Sequence, residues 1–318
     1  MPSQANQPLP DGYQLRNYRI SSVLSCGGFS IVYLATDEND QPVAIKEYLP
    51  SQLALRRHGD VLPAIAEENL ATFRYGMRCF FEEGRALAGL SHANVVRVLN
   101  FFRANETVYL VMRYEHGRTL EEHIRHRFGT LRENFIRHMF AQLLNGLREV
   151  HSNRLVHLDI KPANIYIRNN GVPLLIDFGG ARQTIIAESG EGKRLKPMYT
   201  PGFAPPEQYR NRDLLGPWSD IYSVGATMFS CLAGMAPQPA DKRVEHDRYM
   251  SATRMWAGKY SRHLLETVDW CLELDHLRRP QSVFALQKVL LREKEPEVHR
   301  RRSFTQVMRG HLLKLAGH

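Results

Sequence analysis

The hydrophobic period of the chain changes near Gly117, and that change limits the folds open to it. Before this point the apolar residues gather in short β-prone runs, at residues 18–24, 31–35 and 42–46, parted by the turn-like segments SCGGFS and DENDQ. A three-stranded meander is the expectation. Residues 67–90 suit a helix, and 96–101 with 108–112 read as a further strand pair around RANET. After Gly117, Phe135, Ile136, Met139, Phe140, Leu143, Leu144, Leu147 and Val150 recur at helical spacing and predict an amphipathic helix. Strands followed by helices predict an α+β chain with a small β-rich lobe and a larger, mainly helical one.

A chain of 318 residues can bury a substantial core, and 43% hydrophobic with 24% charged residues is ordinary for a soluble globular protein. The formal net charge of +9 would favour acidic partners, but Lys and Arg are spread along the chain, so a merely basic surface is the simpler reading and no nucleic-acid partner is expected. Cys26, Cys79, Cys231 and Cys271 lie far apart without a C-x-x-C pair, which speaks against a zinc site or a disulfide framework. The N-terminus lacks a signal-peptide pattern, and the apolar stretch 221–235 is too short and too polar to span a bilayer. A cytoplasmic location with no transmembrane segment is expected.

Several stretches carry chemistry. Residues 24–32, LSCGGFSIV, lie between two expected strands, where small residues would let the backbone offer N–H groups to phosphate oxygens. Alone, such a glycine pair more often marks a plain hairpin. VAIK ends a strand on Lys46, a point charge suited to nucleotide phosphates, though a strand-end lysine is commonly just solvated. In FFEEGRALAGLSH, Glu83 shares a helical face with Leu87 and Leu90, so it is the glutamate that would point inward; a solvated acidic face is the alternative. HLDIKPANIY places Asp159, Lys161 and Asn164 within six positions. LLIDFGGAR feeds Asp177 from an apolar run, which suits a buried strand delivering a carboxylate to a metal. YTPGFAPPEQY looks too irregular for strand or helix and reads as a shaped loop, and WSDIYSVGATMF reads as a buried helix whose Asp220 needs hydrogen-bond partners.

Taken in order, VAIK, HLDIKPAN, DFG, APPE and SDIYSVG match the signature set of protein kinases, and over residues 18–291 the chain resembles a bacterial-type Ser/Thr protein kinase. The resemblance implies a two-lobed kinase domain, with an N-lobe of about residues 18–115 and a C-lobe of about 116–291, between an N-terminal extension (1–17) and a basic tail (292–318). It implies ATP with magnesium, manganese being a second candidate, and protein substrates, the chain itself included. Asp159 would accept or orient the substrate hydroxyl, Lys161 would balance charge on the transferring group, and Asn164 and Asp177 would hold the metal. The nucleotide would be held by Leu24, Ser25, Cys26, Gly27, Gly28, Phe29, Ser30, Ile31 and Val32, by a Lys46–Glu83 ion pair, and by the hinge backbone of Arg113, Tyr114 and Glu115 after Met112. Glu207 would pair with Arg279, and Asp220 would cap the backbone near His157. A pseudokinase would be expected to lack one of Lys46, Asp159, Asn164 or Asp177, and a small-molecule phosphotransferase has no need of the YTPGFAPPEQY segment.

Three departures from the family pattern matter, and so does the tail beyond it. Ser25 and Ser30 stand where the family's phosphate loop has its first and third glycines, so modestly weaker nucleotide binding is expected. The stretch between Lys46 and Glu83 looks long, implying an insertion within residues 48–76, either a docking surface or, by a small margin, a solvated excursion. Leu158 stands where many members carry an Arg that receives a loop phosphate, so activity without phosphorylation at Thr184 or Ser189 is expected. Finally, the tail at 293–318 holds six Lys or Arg against three Glu, and Phe304, Met308, Leu312 and Leu315 would share a helical face. Docking on the chain's own helical lobe is favoured over contact with a partner or lipid and over a frayed end. Ser303 and Thr305 after Arg300–Arg302 resemble a site that basic-directed kinases modify, and self-phosphorylation there is one reading of it.

Overall fold

The computed structural model of the protein describes residues 6–127, 129–178 and 199–292. Thr184, Ser189 and the tail with Ser303 and Thr305 lie outside the described residues. The first half builds an antiparallel sheet from β1 (Gln14–Leu15), β2 (Tyr18–Cys26), β3 (Ser30–Thr36), β4 (Pro42–Tyr48), β7 (Val98–Ala104) and β8 (Thr107–Arg113), in the order β1-β2-β3-β4-β8-β7. The expected meander and the second strand pair are both there. Strand β3 follows a period of two, burying Ile31, Tyr33 and Ala35, while the central strands β4 and β8 are buried along most of their length.

Helix α1 (Glu67–Ala88) crosses this sheet. It comes so close that a Cβ on Gly76 would fall 1.9 Å from the Tyr48 hydroxyl, which is why the helix carries a glycine in mid-span despite the propensity cost. The insertion between β4 and α1 is not the solvated excursion favoured from sequence. It forms the hairpin β5 (Ala54–Leu55) and β6 (Ala64–Ile65), and its Arg56 is fully buried under the sheet while its turn, Arg57 to Asp60, stays exposed.

The second lobe opens at Gly117, where a Cβ would collide with the Ile167 carbonyl, so this glycine lets β9 (Gly117–Thr119) lie against β10 (Ile165–Arg168), itself paired with β11 (Pro173–Leu175). Thr119 and Glu122 then close a reciprocal capping box that starts α2 (Leu120–His126). The amphipathic helix α3 (Glu133–Ser152) buries all the periodic apolar residues except Phe135, which is half-buried. The segment read as a shaped loop contains a short helix, α4 (Pro206–Arg210), because Pro206 sits in the first turn, where its missing N–H costs nothing. Helix α5 (Pro217–Ala233) is buried on nearly every face, as WSDIYSVGATMF suggests, and α6 (Ala240–Glu245), α7 (Ala252–Met255), α8 (Arg262–Cys271) and α9 (Val283–Leu290) complete the lobe. No helix among the described residues is long and apolar enough to cross a membrane.

Candidate active site

The stretch His157 to Asn164 lies between α3 and β10 and is suspended from Asp220 of α5. The fully buried Asp220 carboxylate accepts the backbone N–H of His157 (2.8 Å) and of Leu158 (2.7 Å), and lies 2.7 Å from His151 Nε2. Burial alone would raise its pKa, but the hydrogen bond and charge of His151, with His157, hold it below the usual carboxylate value. The expected cap near His157 is therefore present; the contribution of His151, on the last turn of α3, is not foreseen from the sequence. Leu158 takes a left-handed backbone (φ 59°), rare for a side chain of its size, and is buried. Its N–H on Asp220 and its C=O, accepting from Gln208 Nε2 at 3.0 Å, hold that conformation.

The strained turn presents Asp159 to a closed set of polar partners. Lys161 Nζ lies 2.9 Å from Asp159 Oδ2, and the Thr200 hydroxyl donates to Asp159 Oδ1 at 2.8 Å while accepting from Lys161 Nζ at 2.9 Å. Asn164 Nδ2 donates to the Asp159 carbonyl (2.9 Å) and to its Oδ2 (2.8 Å). Thr200, which its place in the loop before APPE together with Lys161 makes similar to the threonine of Ser/Thr-directed kinases, belongs to this cluster. The peptide segment is pinned from beneath by Arg279, which donates to Glu207 through Nη1 (2.8 Å) and Nη2 (3.1 Å), the pairing expected from the family pattern.

Across the cleft, Lys46 on β4 stands opposite Val32 of β3, so both share the cleft face, and Phe80 of α1 lies 5.7 Å from the ammonium. The carboxylate that Lys46 reaches is Asp177, at 2.5 Å, and not Glu83 as expected. Glu83 does face inward on α1, where it is buried, but the left-handed backbone of Asp177 (φ 59°) carries its carboxylate to Lys46 first. Asp177 and Asn164 are brought together by the Ile176 N–H on the Asn164 carbonyl, 3.0 Å. Because Asn164 Nδ2 faces Asp159, its side-chain oxygen is the group it can turn to a cation; one carboxylate and one amide oxygen are hard donors that suit a small divalent ion completed by phosphate and water. Among the described residues no cluster of three His, Cys, Asp or Glu offers an alternative metal site.

One of the nucleotide candidates lies off the cleft. Ile31 pairs with Glu47 and is fully buried on the face away from Lys46, so its side chain does not line the cleft. The Arg113 N–H donates to the Arg97 carbonyl at 2.9 Å, so that donor is engaged within the sheet and is not offered to a base. The Glu115 carboxylate is held by Arg168 at 2.9 and 3.0 Å. Leu24, Ser25, Cys26, Gly27 and Gly28 are exposed at the end of β2 and in the turn beyond it, with Phe29 and Ser30 half-buried where β3 begins.

The chain is similar to known proteins over most of its length. A family described as "Protein kinase domain" matches residues 18–291. Serine/threonine-protein kinase PknA of Nostoc sp. is 32% identical over 227 residues, covering 70% of this chain and 38% of the relative. PknB of Mycobacterium tuberculosis is 30% identical over 233 residues, 71% of this chain and 34% of the relative. The chain thus spans well under half the length of these two relatives. Among solved structures, PpkA-294 in its apo form superposes with a TM-score of 0.79 at 33% identity, covering 89% of this chain and 99% of that one.

Proposed function

The chain belongs to the protein kinase family, and from that premise we propose that it transfers the γ-phosphoryl group of ATP to Ser or Thr hydroxyls of protein substrates. The observation that carries the proposal is the closed set of Asp159, Lys161, Thr200 and Asn164. Phosphoryl transfer asks little covalent help of a protein and much electrostatic positioning. Asp159 stands where a substrate hydroxyl can hand over its proton, and Lys161, held beside it, supplies positive charge to the oxygens of the group in flight. Asn164 and Asp177 would hold magnesium, or manganese in its place, and the bound ion would draw charge from the phosphate oxygens. Lys46 would orient the phosphates from the opposite wall.

The acceptor is proposed to be a protein because Thr200 ties the segment before α4 directly to Asp159, so a peptide lying along that segment delivers its hydroxyl to the carboxylate. Transfer onto the chain itself belongs to the same proposal. Four free thiols suit a reducing compartment, and the cytoplasm is the proposed location. The test is transfer of labelled phosphate from ATP with magnesium to a panel of protein and small-molecule acceptors. Asp159→Asn should lower turnover by roughly 10² to 10⁴, and Asp177→Asn should abolish metal-dependent transfer with the fold intact. Undiminished turnover in both variants, or transfer confined to small molecules, would overturn the assignment.

A further inference from the structure

The ladder between β3 and β4 does not stop at its last strand pair, Ser30 with Tyr48. Beyond it the Leu49 N–H donates to the Phe29 carbonyl (2.9 Å), and Ser51 donates to the Gly28 carbonyl through its N–H (2.9 Å) and its hydroxyl (3.2 Å). The start of the insertion therefore grips the tip of the glycine-containing loop by its carbonyls. In a trans peptide the N–H points opposite to the C=O. Fixing the Gly28 and Phe29 carbonyls towards residues 49–51 turns the N–H groups of Phe29 and Ser30 the other way, and amide N–H groups are what a phosphate requires.

The grip is itself anchored. Asn6 donates from Nδ2 to the Leu49 carbonyl (3.1 Å), accepts the Arg56 N–H on Oδ1 (2.7 Å), and offers its own carbonyl to Cys26 Sγ (3.9 Å), joining the N-terminal segment, the insertion and the root of the loop in one residue. Arg56 donates to both carboxylate oxygens of Glu47 (2.7 Å each) and to the Tyr33 hydroxyl (2.8 Å), and Tyr33 and Tyr109 donate to Glu47 at 2.6 and 2.7 Å. Arg56 and Glu47 are both fully buried, and this pairing raises the Arg56 pKa although burial alone would lower it. Glu47 follows Lys46 on β4 and points to the opposite face. One strand thus carries the cleft lysine on one side and the anchor of the insertion on the other.

We propose that residues 49–56, tied to the N-terminal segment through Asn6, are a positioning element that holds the loop between β2 and β3 in its phosphate-receiving shape; the nucleotide part of this inference rests on the kinase reading above. The element makes up for Ser25 and Ser30, which stand where the family's loop has glycines.

Two variants test it without touching the cleft. Ser51 is the second residue of a turn closed by the Leu53 N–H on the Pro50 carbonyl, a position proline favours, so Ser51→Pro removes both donors to Gly28 and leaves the turn intact. Asn6→Ala cuts the knot at its other end. If losing the grip leaves the loop competent about a tenth of the time, nucleotide dissociation constants rise about tenfold. The expected result is faster amide hydrogen exchange over residues 24–32 and an approximately tenfold rise in KM for ATP, with kcat and the KM of the acceptor protein near wild type. Unchanged exchange in both variants overturns the proposal, as does a parallel loss in kcat and both KM values, which would mark a merely structural role. Wild-type protein that binds no magnesium–ATP would overturn the kinase reading instead, and the exchange arm would then decide the clamp by itself.

Discussion

Replacing Asp220 by Asn should disturb catalysis from a residue that never touches substrate. The Asp220 carboxylate accepts from two backbone N–H groups and lies against the His151 ring, all within 2.8 Å and wholly out of water. An asparagine has one oxygen for these partners. Its best orientation keeps that oxygen on His157 and His151, which share Oδ2 in the native protein, and turns its NH2 towards the Leu158 N–H, so two donors face each other. An unsatisfied buried donor costs about 1–3 kcal/mol, and the two remaining bonds lose their charge assistance, roughly half their strength. The sum is about 2–5 kcal/mol, or a fall in melting temperature on the order of 5–15 °C. The bond that is lost is one of the two holding Leu158 in its left-handed conformation, which costs of order 1–3 kcal/mol to maintain, and the bond from Gln208 to its carbonyl remains alone. Released, Leu158 relaxes towards an ordinary backbone and swings Asp159, the next residue, off Thr200 and Lys161. Melting by circular dichroism and steady-state turnover on one preparation check both halves. An Asn variant that melts within about 2 °C of wild type and keeps its kcat would refute this account of how the turn is held.

Two further outcomes follow from the same stretch. Burial, opposed by the charges of Asp220, Asp159 and Asp177, holds the His157 pKa below its ordinary value, so the folded protein keeps the ring neutral while the unfolded chain takes up a proton below about pH 6.5. Its contribution is constant above about pH 7 and is lost as pH falls from about 6.5 towards the folded pKa, with a slope of up to about 1.4 kcal/mol per pH unit; a His157→Phe variant whose melting temperature declines as steeply as wild type between pH 7 and 5 would assign the effect elsewhere. Leu158 is buried and has no donor for a phosphate, so a Thr184→Ala, Ser189→Ala double variant should keep wild-type kcat, and one that stays inactive until loop phosphate is restored elsewhere would overturn the reading.

Much of the fold is legible because period and punctuation agree. The alternation in β3, the helical recurrence in α3 and the break at Gly117 each have one structural solution, and the structure adopts it. The insertion is different. Residues 48–66 carry no clear period, and a buried arginine looks like a surface one in sequence; only the meeting of Arg56 with Glu47, Tyr33 and Tyr109, drawn from three separate strands, makes its burial affordable. Likewise the helix at Pro206–Arg210 hides behind adjacent prolines that argue against regular structure, although one of them is well placed to begin it.

The site divides along the same line. Asp159, Lys161 and Asn164 lie within one short turn, so their convergence follows from chain connectivity, and local spacing is enough to find them. Lys46 has no such constraint. Alternation puts it on the cleft face of β4, and helical spacing puts Glu83 on the inner face of α1, but contact between them depends on how far α1 is rolled against the sheet and on which carboxylate arrives from the other lobe. Neither quantity is local. Asp177 wins that contest through a left-handed backbone at the end of an extended run, a conformation that a string of residue types does not announce for an aspartate. The same carboxylate is the proposed metal ligand, so Lys46 and a divalent cation draw on one group, and the electrostatics of the cleft are set jointly by the two lobes and not by either motif alone.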